Sequence, residues 1–582
     1  MFKVPMRYTI LKVTLFAFLA IIAVRLFDIQ VIHYSEYKAE AASKRIKQYE
    51  LEAKRGEIYM MDGDEDVVPV VVNERTWTIF VDPSYVKSKE KVQATLDPIL
   101  GDQMIISWDK VWENMKSQYV EIAKNVNYDT VAAVKEANLR GVGRKETSRR
   151  VYPSGELASQ VLGFVNAEGV GSGVEGSLNN RLSGKNGMLK TVTDVNEIPL
   201  SIGDDNIEIP AENGENIVLT LDENVQRKVE SILKNAMEQK PGIEKAAALV
   251  MNPNNGHIYA MANYPTYNPE EYWKVTDASL FTNLATESTY EPASVCKTFT
   301  YATAINEGVL DPTDTYYNTG VTMVDDRAIH NANGSVQHYG TITFNEALNY
   351  SLNTGSVEAL RRLGGGQITK QARTTLYNYL TERFSLGKKT GIELYEEAGL
   401  IVSPEQEQGN AVKYANMTFG QGMNLTMVQV AAGFSALINN GDYYQPTIVA
   451  GVVNDDGEFI PKEKEQPKYQ HAIGETTSAT MREMLINVRK VNGGRADLPG
   501  YRVGVKTGTA ETLKDDGSYT SDKTVAGALG FGGSGDGDTP EYVVLVRLNG
   551  DTLLWGAYDA VPIFTEISNY MLQYLRIQPA KQ

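Results

Sequence analysis

Ser294 and Lys297 are the residues of this sequence whose types and spacing could do covalent chemistry. They lie three positions apart within residues 291–300 (EPASVCKTFT), a stretch that reads as the start of a buried helix. Residues at i and i+3 share a helix face, so this spacing holds an amine beside a hydroxyl. A serine hydroxyl is a poor nucleophile until a neighbouring base takes its proton, and a neutral lysine amine can act as that base. The pair therefore predicts a serine nucleophile that is activated by a lysine.

Two further motifs follow this pair in order along the chain. Ser351 and Asn353 form an S-x-N motif, and residues 506–509 read Lys-Thr-Gly-Thr. An isolated S-x-x-K match is weak, because average residue usage gives about two or three by chance in a chain of this length. The ordered set S-x-x-K, S-x-N and K-T-G resembles the signature of class A β-lactamases and penicillin-binding proteins.

The composition is that of a large globular protein. The chain has 582 residues, of which 42% are hydrophobic and 22% charged, so it can hold three or four domains. The net charge of −17, without a block of Lys and Arg, argues against a nucleic-acid partner. The five histidines show no metal-site spacing, and we expect neither a metal nor a cofactor.

The single cysteine, Cys296, lies between Ser294 and Lys297 and excludes any internal disulfide. On a helix its side chain points about 100° away from that of each adjacent residue. The sequence therefore favours a small buried hydrophobic residue over a catalytic thiol at this position.

An apolar segment near the N-terminus predicts a membrane anchor. Residues 8–27 are mostly apolar, and their length is about what a bilayer-spanning helix needs. A cleaved signal peptide is the alternative, but no small-x-small cleavage site follows. We expect a cytoplasmic tail at 1–7, an anchor at 8–28 and an extracytoplasmic remainder in the cytoplasmic membrane. Basic residues flank both ends of the anchor, so this orientation rests on a modest charge difference.

The rest of the chain divides into three predicted segments. Residues 29–54 read as an amphipathic juxtamembrane helix, and 55–215 read as an elongated pedestal with short strands and, at 100–148, helices with a polar surface. Residues 216–578 begin with a strand and a helix capped near Asp222, followed by a hairpin around residues 255–256. Three strand-like runs and an amphipathic helix close the chain. The fold class is therefore α+β, with an antiparallel sheet that joins both ends of the last domain and is flanked by helices.

With these motifs in view, the chain resembles the class B penicillin-binding proteins, which are monofunctional cell-wall transpeptidases. The likeness extends from about residue 8 to about residue 575. Beyond the three catalytic motifs it rests on four segments, which are RGEIYMMDG at 55–63, RVYPSGELASQVLGFVNAEGVGSGVEGSLN from 150, VLTLDENVQ at 218–226 and TFGQGMNLTMVQVAAGFSALINNG at 418–441. The sequence departs from the family at Ala293, where glycine is usual, at Cys296, where an aromatic residue is usual, and at Val505, where glycine is common. These departures leave every catalytic group in place.

The resemblance implies acyl transfer through a serine ester. Ser294 would attack the carbonyl between the two D-alanines of a peptidoglycan stem peptide, and a neutral Lys297 would take its proton. Ser351 would relay a proton to the leaving amine, and Asn353 would hydrogen-bond both Lys297 and the substrate amide. β-Lactams would acylate the same serine.

The K-T-G motif would bind the substrate. Lys506 would supply positive potential, and the hydroxyls of Thr507 and Thr509 would bind the substrate carboxylate. Gly508 would let the substrate lie against the strand edge. The backbone N–H groups of Ser294 and Thr509 would form the oxyanion hole.

Several alternative functions share these motifs. A β-lactamase needs a glutamate that activates the deacylating water, and Glu483 resembles its local sequence but reads as part of a helix face. A signalling β-lactam receptor would need a cytoplasmic effector domain, for which residues 1–7 leave no room. A D,D-carboxypeptidase stays open, because the acceptor site has no clear sequence signature.

The expected partners follow from the same resemblance. Without a glycosyltransferase domain before the pedestal, the chain is expected to work beside a polytopic membrane glycan polymerase, in the divisome or the elongasome. Septal division is slightly favoured over elongation because of the overall length and the compact pedestal.

Overall fold

The structure is a computed structural model that describes residues 6–37, 46–63, 66–166, 168–192, 207–332, 338–513, 519–537 and 539–581. Its strands, in chain order, are β1 Ile46–Leu51, β2 Ile58–Asp62, β3 Asp66–Val81, β4 Val120–Val126, β5 Val142–Val151, β6 Gly187–Val192, β7 Ile207–Ile209, β8 Asn216–Asp222, β9 Ile243–Met251, β10 Ile258–Tyr264, β11 Thr315–Asn318, β12 Val321–Val324, β13 Arg327–His330, β14 Gly340–Thr343, β15 Val449–Val453, β16 Phe459–Pro461, β17 Arg502–Leu513, β18 Tyr519–Gly533 and β19 Tyr542–Gly550.

The α-helices, in the same order, are α1 Met6–Phe27, α2 Lys89–Leu100, α3 Trp108–Glu113, α4 Tyr128–Glu136, α5 Ser159–Leu162, α6 Gly173–Ser177, α7 Asn179–Leu182, α8 Glu223–Gln239, α9 Lys297–Asn306, α10 Phe344–Asn349, α11 Asn353–Leu363, α12 Lys370–Asn378, α13 Ala411–Met417, α14 Met427–Ile438, α15 Glu475–Val491 and α16 Val561–Tyr574. A 3₁₀ turn, Ala293–Cys296, directly precedes α9, and a π-helical turn, Gly556–Ala560, directly precedes α16.

One compact unit consists of the described parts of Met1–Gly56 and Ser183–Glu215. Helix α1 buries none of its residues and, extended to Ile32, is long and apolar enough to cross a membrane. Strand β1 pairs antiparallel with β6, which also pairs with β7. The predicted juxtamembrane helix over 29–54 is therefore wrong at its C-terminal end, where β1 stands, and its residues 38–45 lie outside the described part. The short sequence of β1 could not reveal a partner strand so far along the chain.

The second unit consists of Glu57–Leu182 and Asn216–Gln582. One of its sheets has the order β16-β15-β8-β2-β3-β4, with β5 also paired to β3. Within this sheet β2 and β8 run parallel, with Ile58 opposite Ile217. A single sheet thus includes strands from both the predicted pedestal and the predicted C-terminal domain.

Strands β4 and β5 contradict the expectation that residues 100–148 are purely helical. Helices α3 and α4 do lie there, but β4 and β5 pair antiparallel with β3 on its two edges. No residue of β5 is fully buried, so its sequence lacks the apolar alternation that marks a half-buried strand. Its conformation comes from backbone pairing with β3, a tertiary contact that the local pattern does not encode.

The sheet of the C-terminal domain confirms the prediction that both ends of that domain meet. Its order is β10-β9-β19-β18-β17, with antiparallel pairing throughout. Alternate residues of β19 enter different cores, since Val544 and Val546 pack with α8 and α16 on one face while Val543 and Leu545 join the helical core on the other. Asp222 caps α8 as predicted, through hydrogen bonds from the N–H groups of Asn224 and Val225. Strand β17 forms one edge of this sheet.

Candidate active site

The 3₁₀ turn before α9 positions Ser294. Helix α9 is central, with all of its first eight residues buried, and Ser294 is half-buried at its entrance. Ala293 adopts a left-handed φ of 52°, a conformation that is strained for a residue with a Cβ and natural for glycine. Gly420 packs against this turn, because a Cβ at position 420 would lie 2.2 Å from the Ala293 carbonyl oxygen. The missing side chain at 420 therefore lets the turn close on the segment around α13.

Gly508 brings strand β17 to the same turn. A Cβ at this position would lie 2.7 Å from the carbonyl oxygen of Pro292, closer than non-bonded atoms tolerate. The resemblance implies that Gly508 admits the substrate to the strand edge. The structure adds a second reason for the glycine, since the segment that carries Ser294 already occupies the space of a side chain.

Ser351 brings the two predicted lysines together. It lies in the turn between α10 and α11 with a left-handed φ of 55°. Lys297 Nζ lies 3.1 Å from Ser351 Oγ and donates to the Ser351 carbonyl oxygen. Lys506 Nζ donates to the same Oγ at 2.9 Å and to the carbonyl of Thr507. The three motifs therefore converge on one hydroxyl that lies between two amines.

Burial changes the acid–base properties of both amines. Lys297 and Lys506 are 0% and 1% exposed. Desolvation, and then the charge of Lys506, hold the pKa of Lys297 well below its usual range. Desolvation lowers the pKa of Lys506 to about 7. Because two adjacent ammonium groups repel each other, the site favours a state in which Lys297 is neutral and Lys506 carries the proton.

Asn353 has a different partner from the one predicted. Its Nδ2 donates to the carbonyl oxygen of His330 at 2.9 Å, and the expected hydrogen bond to Lys297 is not formed between these described side chains. The neighbouring Thr354 donates through its hydroxyl to Asn318 and through its N–H to Asn331. The start of α11 is thereby fastened to the end of β13, which places Asn353 and His330 side by side.

Three of the predicted residues, Ser294, Asn353 and Thr509, line a cleft of about 640 Å³. Thr507 and Thr509 are half-buried and lie two positions apart on β17, so they share a strand face. The Thr509 Oγ1 accepts a hydrogen bond from the Gly556 N–H at 3.0 Å. Its own O–H group is therefore free to point toward a ligand.

The rest of the cleft wall was missed by the sequence reasoning. It includes β13 and the two residues after it, the end of α13 and the segment that follows, the far end of β17 with its partner on β18, and the loop before α16. Its side chains are Ala328, Ile329, His330, Asn331, Ala332, Asn416, Phe419, Gln421, Glu511, Thr524, Leu553 and Trp555. Gln421 belongs to the family segment at 418–441, in a Gly-Gln-Gly run at 420–422, and this run is the sequence signal that points to it. The other wall residues carry no motif.

Two residues that could be mistaken for catalytic groups are structural. Cys296 is 1% exposed, its Sγ lies 3.8 Å from the Met423 sulfur, and burial raises its pKa, so the thiol stays protonated and inert. Glu483 lies on α15, is exposed and forms an ion pair with Arg502. It is not among the residues that line the cleft.

Comparisons with known proteins agree with this geometry. The family model of the penicillin binding protein transpeptidase domain matches residues 246–569, and that of the penicillin-binding protein dimerisation domain matches residues 50–219. Stage V sporulation protein D of Bacillus subtilis is 31% identical over 100% of this chain and 88% of its own length. The peptidoglycan D,D-transpeptidase FtsI of Escherichia coli is 26% identical over 98% and 92%, respectively.

A solved structure shows the same fold. The crystal structure of penicillin-binding protein 2X from Streptococcus thermophilus superposes with a TM-score of 0.70 at 24% identity, covering 91% of this chain and 80% of that one. The two matched domains, in the order dimerisation and then transpeptidase, account for most of the sequence. The chain therefore belongs to the class B penicillin-binding proteins.

Proposed function

We propose that this chain cross-links peptidoglycan as a serine D,D-transpeptidase through an acyl-enzyme intermediate. The observation that carries this assignment is the position of Ser351 Oγ between Lys297 Nζ and Lys506 Nζ, at 3.1 and 2.9 Å. This arrangement would connect Lys297, the base that follows Ser294 by three residues, to a proton donor near the leaving group. It is the machinery that an acyl transfer needs in both of its steps.

In the first step Ser294 Oγ attacks the carbonyl carbon of the penultimate D-alanine. Its proton passes to neutral Lys297, and a tetrahedral oxyanion forms. The C–N bond then breaks, the terminal D-alanine leaves with a proton on its nitrogen, and the serine ester remains. Burial and the charge of Lys506 both keep Lys297 neutral, which is the form that a base requires.

Ser351 completes the path of the proton. Its hydroxyl accepts a hydrogen bond from the Lys506 ammonium and can donate its own proton to the leaving amine. It is then reprotonated by Lys297, whose Nζ lies 3.1 Å away. In the second step the acceptor amine attacks the ester, its proton returns along the same path, and the new amide bond releases Ser294. We assign Lys297, Ser351 and Lys506 to this relay.

The strand β17 binds the donor peptide. The hydroxyls of Thr507 and Thr509 donate to the terminal carboxylate, and Lys506 supplies the positive potential. The N–H groups of Ser294 and Thr509 form the oxyanion hole, an arrangement worth about 3–4 kcal/mol per donor in other enzymes. Asn353, fixed by His330, is left to bind the substrate amide through its carbonyl oxygen.

Intact mass spectrometry after incubation with benzylpenicillin tests the chemistry. We expect one covalent adduct on the full chain and none on Ser294→Ala. Cys296→Ala is the matched control for the neighbouring thiol and keeps the adduct. Rapid appearance of hydrolysed drug without a lasting adduct would indicate a β-lactamase, and an adduct on Ser294→Ala would refute the assigned nucleophile.

A stem-peptide assay separates transpeptidation from carboxypeptidation. The purified chain in detergent receives a pentapeptide donor with and without an added amine acceptor. A transpeptidase gives the cross-linked product in proportion to the acceptor concentration. Release of D-alanine that is independent of the acceptor would identify a D,D-carboxypeptidase.

Helix α1 supports a proposal for location and partners. We infer a single-pass anchor at 8–28 with the tail 1–7 in the cytoplasm, followed by a pedestal at 55–215 and a transpeptidase domain at 216–578. The anchor and pedestal contact a polytopic membrane glycan polymerase, and septal division is the favoured setting over elongation. Co-purification with such a polymerase that survives charge-preserving substitutions throughout 8–50 and the pedestal would contradict this interface.

A further inference from the structure

Glu511 stands on β17 beyond the residues assigned to the donor carboxylate. It lies two positions after Thr509, so the two side chains share a strand face and are about 7 Å apart along the strand. Glu511 pairs with Thr524 of β18, is exposed and lines the cleft. It therefore extends the substrate-binding edge of the strand by one further position.

Glu511 also places a negative charge in the cleft wall. Of the described residues that line the cleft, it alone is an Asp, Glu, Lys or Arg. Within the described part of the chain its carboxylate has no ion-pair partner, whereas other exposed carboxylates such as Glu483 do. Trp555 and Leu553 belong to the same cleft, and an indole face also attracts a cation.

The donor placement proposed above leads toward this carboxylate. With the terminal carboxylate held at Thr507 and Thr509 and the scissile carbonyl at Ser294, a peptide that continues along the edge of β17 past Thr509 would reach Glu511. The residue before the two D-alanines would then lie nearest to it.

We propose that Glu511 is a specificity residue that selects donors carrying a cationic amine on the side chain of the residue before D-Ala-D-Ala. Donors with a free diamino-acid side chain are preferred, and anionic side chains at that position are disfavoured. The inference rests on the proposed function, because the donor is oriented by its reaction with Ser294. It specifies which donor side chains are preferred, a choice that the three sequence motifs do not determine.

Three penicillins with the same nucleus and phenyl side chain test the proposal. At the side-chain α-carbon ampicillin carries an ammonium, benzylpenicillin a hydrogen and carbenicillin a carboxylate. Acylation rate constants are measured on the full chain in detergent at about pH 6.5, where the ampicillin amine is charged. Benzylpenicillin is the uncharged reference, and the measured quantity is the ratio of the ampicillin rate constant to the carbenicillin rate constant. We expect Glu511→Gln to lower this ratio about fivefold, and Glu511→Lys to lower it further.

Asp522→Asn is the matched control. Asp522 is an exposed carboxylate on β18 that does not line the cleft, so its removal changes the net charge equally and leaves the ratio at the wild-type value. A ratio unchanged in Glu511→Gln, or lowered equally by Asp522→Asn, would overturn the role of Glu511 while leaving the transpeptidase assignment intact. Failure of benzylpenicillin to acylate Ser294 at all would overturn both.

The natural substrate gives an independent readout. Two pentapeptide donors are compared, one with a free side-chain amine at the third residue and one with that amine acetylated. We expect wild type to favour the free amine about fivefold in kcat/KM and Glu511→Gln to lose most of that preference. Equal preference in wild type would overturn the proposal.

Discussion

Lys506→Met tests how much the buried amines of the candidate site destabilise the fold. A lysine whose pKa is about 7 in the folded chain and 10.5 when exposed destabilises the fold by about 4 kcal/mol at pH 7 and about 2 kcal/mol at pH 9. The unfolded chain binds the proton more tightly, so this cost is absent above pH 10.5, grows as the pH falls and becomes constant below the folded pKa.

Methionine removes the buried amine and keeps much of the side-chain volume. It also removes the hydrogen bonds to Ser351 Oγ and to the Thr507 carbonyl, at a cost of about 1–3 kcal/mol for each acceptor left unpaired. That loss is the same at both pH values. The difference between pH 7 and pH 9 therefore isolates the ionisation of Lys506. We expect the free energy of unfolding of the variant, relative to wild type, to be about 2 kcal/mol higher at pH 7 than at pH 9.

Urea unfolding of the full chain in detergent, followed by tryptophan fluorescence at the two pH values, measures this difference. Lys523→Met removes the same charge from an exposed position on β18 and serves as the control, with no such pH-dependent gain. Relief of repulsion at Lys297 adds to the Lys506→Met effect in the same direction. A stability difference that is equal at pH 7 and pH 9 would refute the depressed pKa of Lys506.

Three further predictions concern rate and stability. The rate constant of acylation by benzylpenicillin should have a bell-shaped pH dependence. It should fall at low pH as Lys297 is protonated, and at high pH as Lys506, with its pKa of about 7, loses its proton. In Lys506→Arg, measured by stopped flow, the fall at high pH should disappear. Gly420→Ala should displace the turn at Ala293 and slow acylation about 100-fold, and an unchanged rate would refute this packing. Glu175→Gln breaks a buried ion pair and should cost about 3–5 kcal/mol in urea unfolding; a cost below about 1 kcal/mol would contradict it.

The motifs of the candidate site can be recognised in the sequence because the proposed chemistry restricts residue type and spacing. Ser294, Ser351 and Lys506 come from distant segments, yet each motif is short and complete in itself. The C-terminal sheet was predictable for a similar reason, since the hairpin at 255–256 and the closing strands carry strong local patterns. Their assembly into one sheet followed from the need to bury both ends of the domain.

What the sequence could not reveal depends on tertiary contacts. Strands β1 and β5 pair with strands that are remote in the chain. Neither sequence has the alternation of apolar and polar residues that predicts a strand. The bond from Asn353 to His330 depends on a hairpin whose position no local pattern specifies. Glu511 was visible as a residue after the K-T-G-T run, but its presence in the cleft wall emerges only when β17, β18 and the loop before α16 are assembled.

The parallel pairing of β2 with β8 has a consequence for how this protein can be divided. Ile217 has a neighbour on each side, Ile58 of β2 and Val452 of β15, and its side chain is fully buried. A recombinant fragment that starts at residue 216 would lose β2 and leave the backbone groups of β8 unpaired along one side. Such an unpaired strand edge promotes aggregation. The catalytic portion therefore needs residues 57–62 supplied with it, in the same polypeptide or as a complementing peptide, to remain soluble.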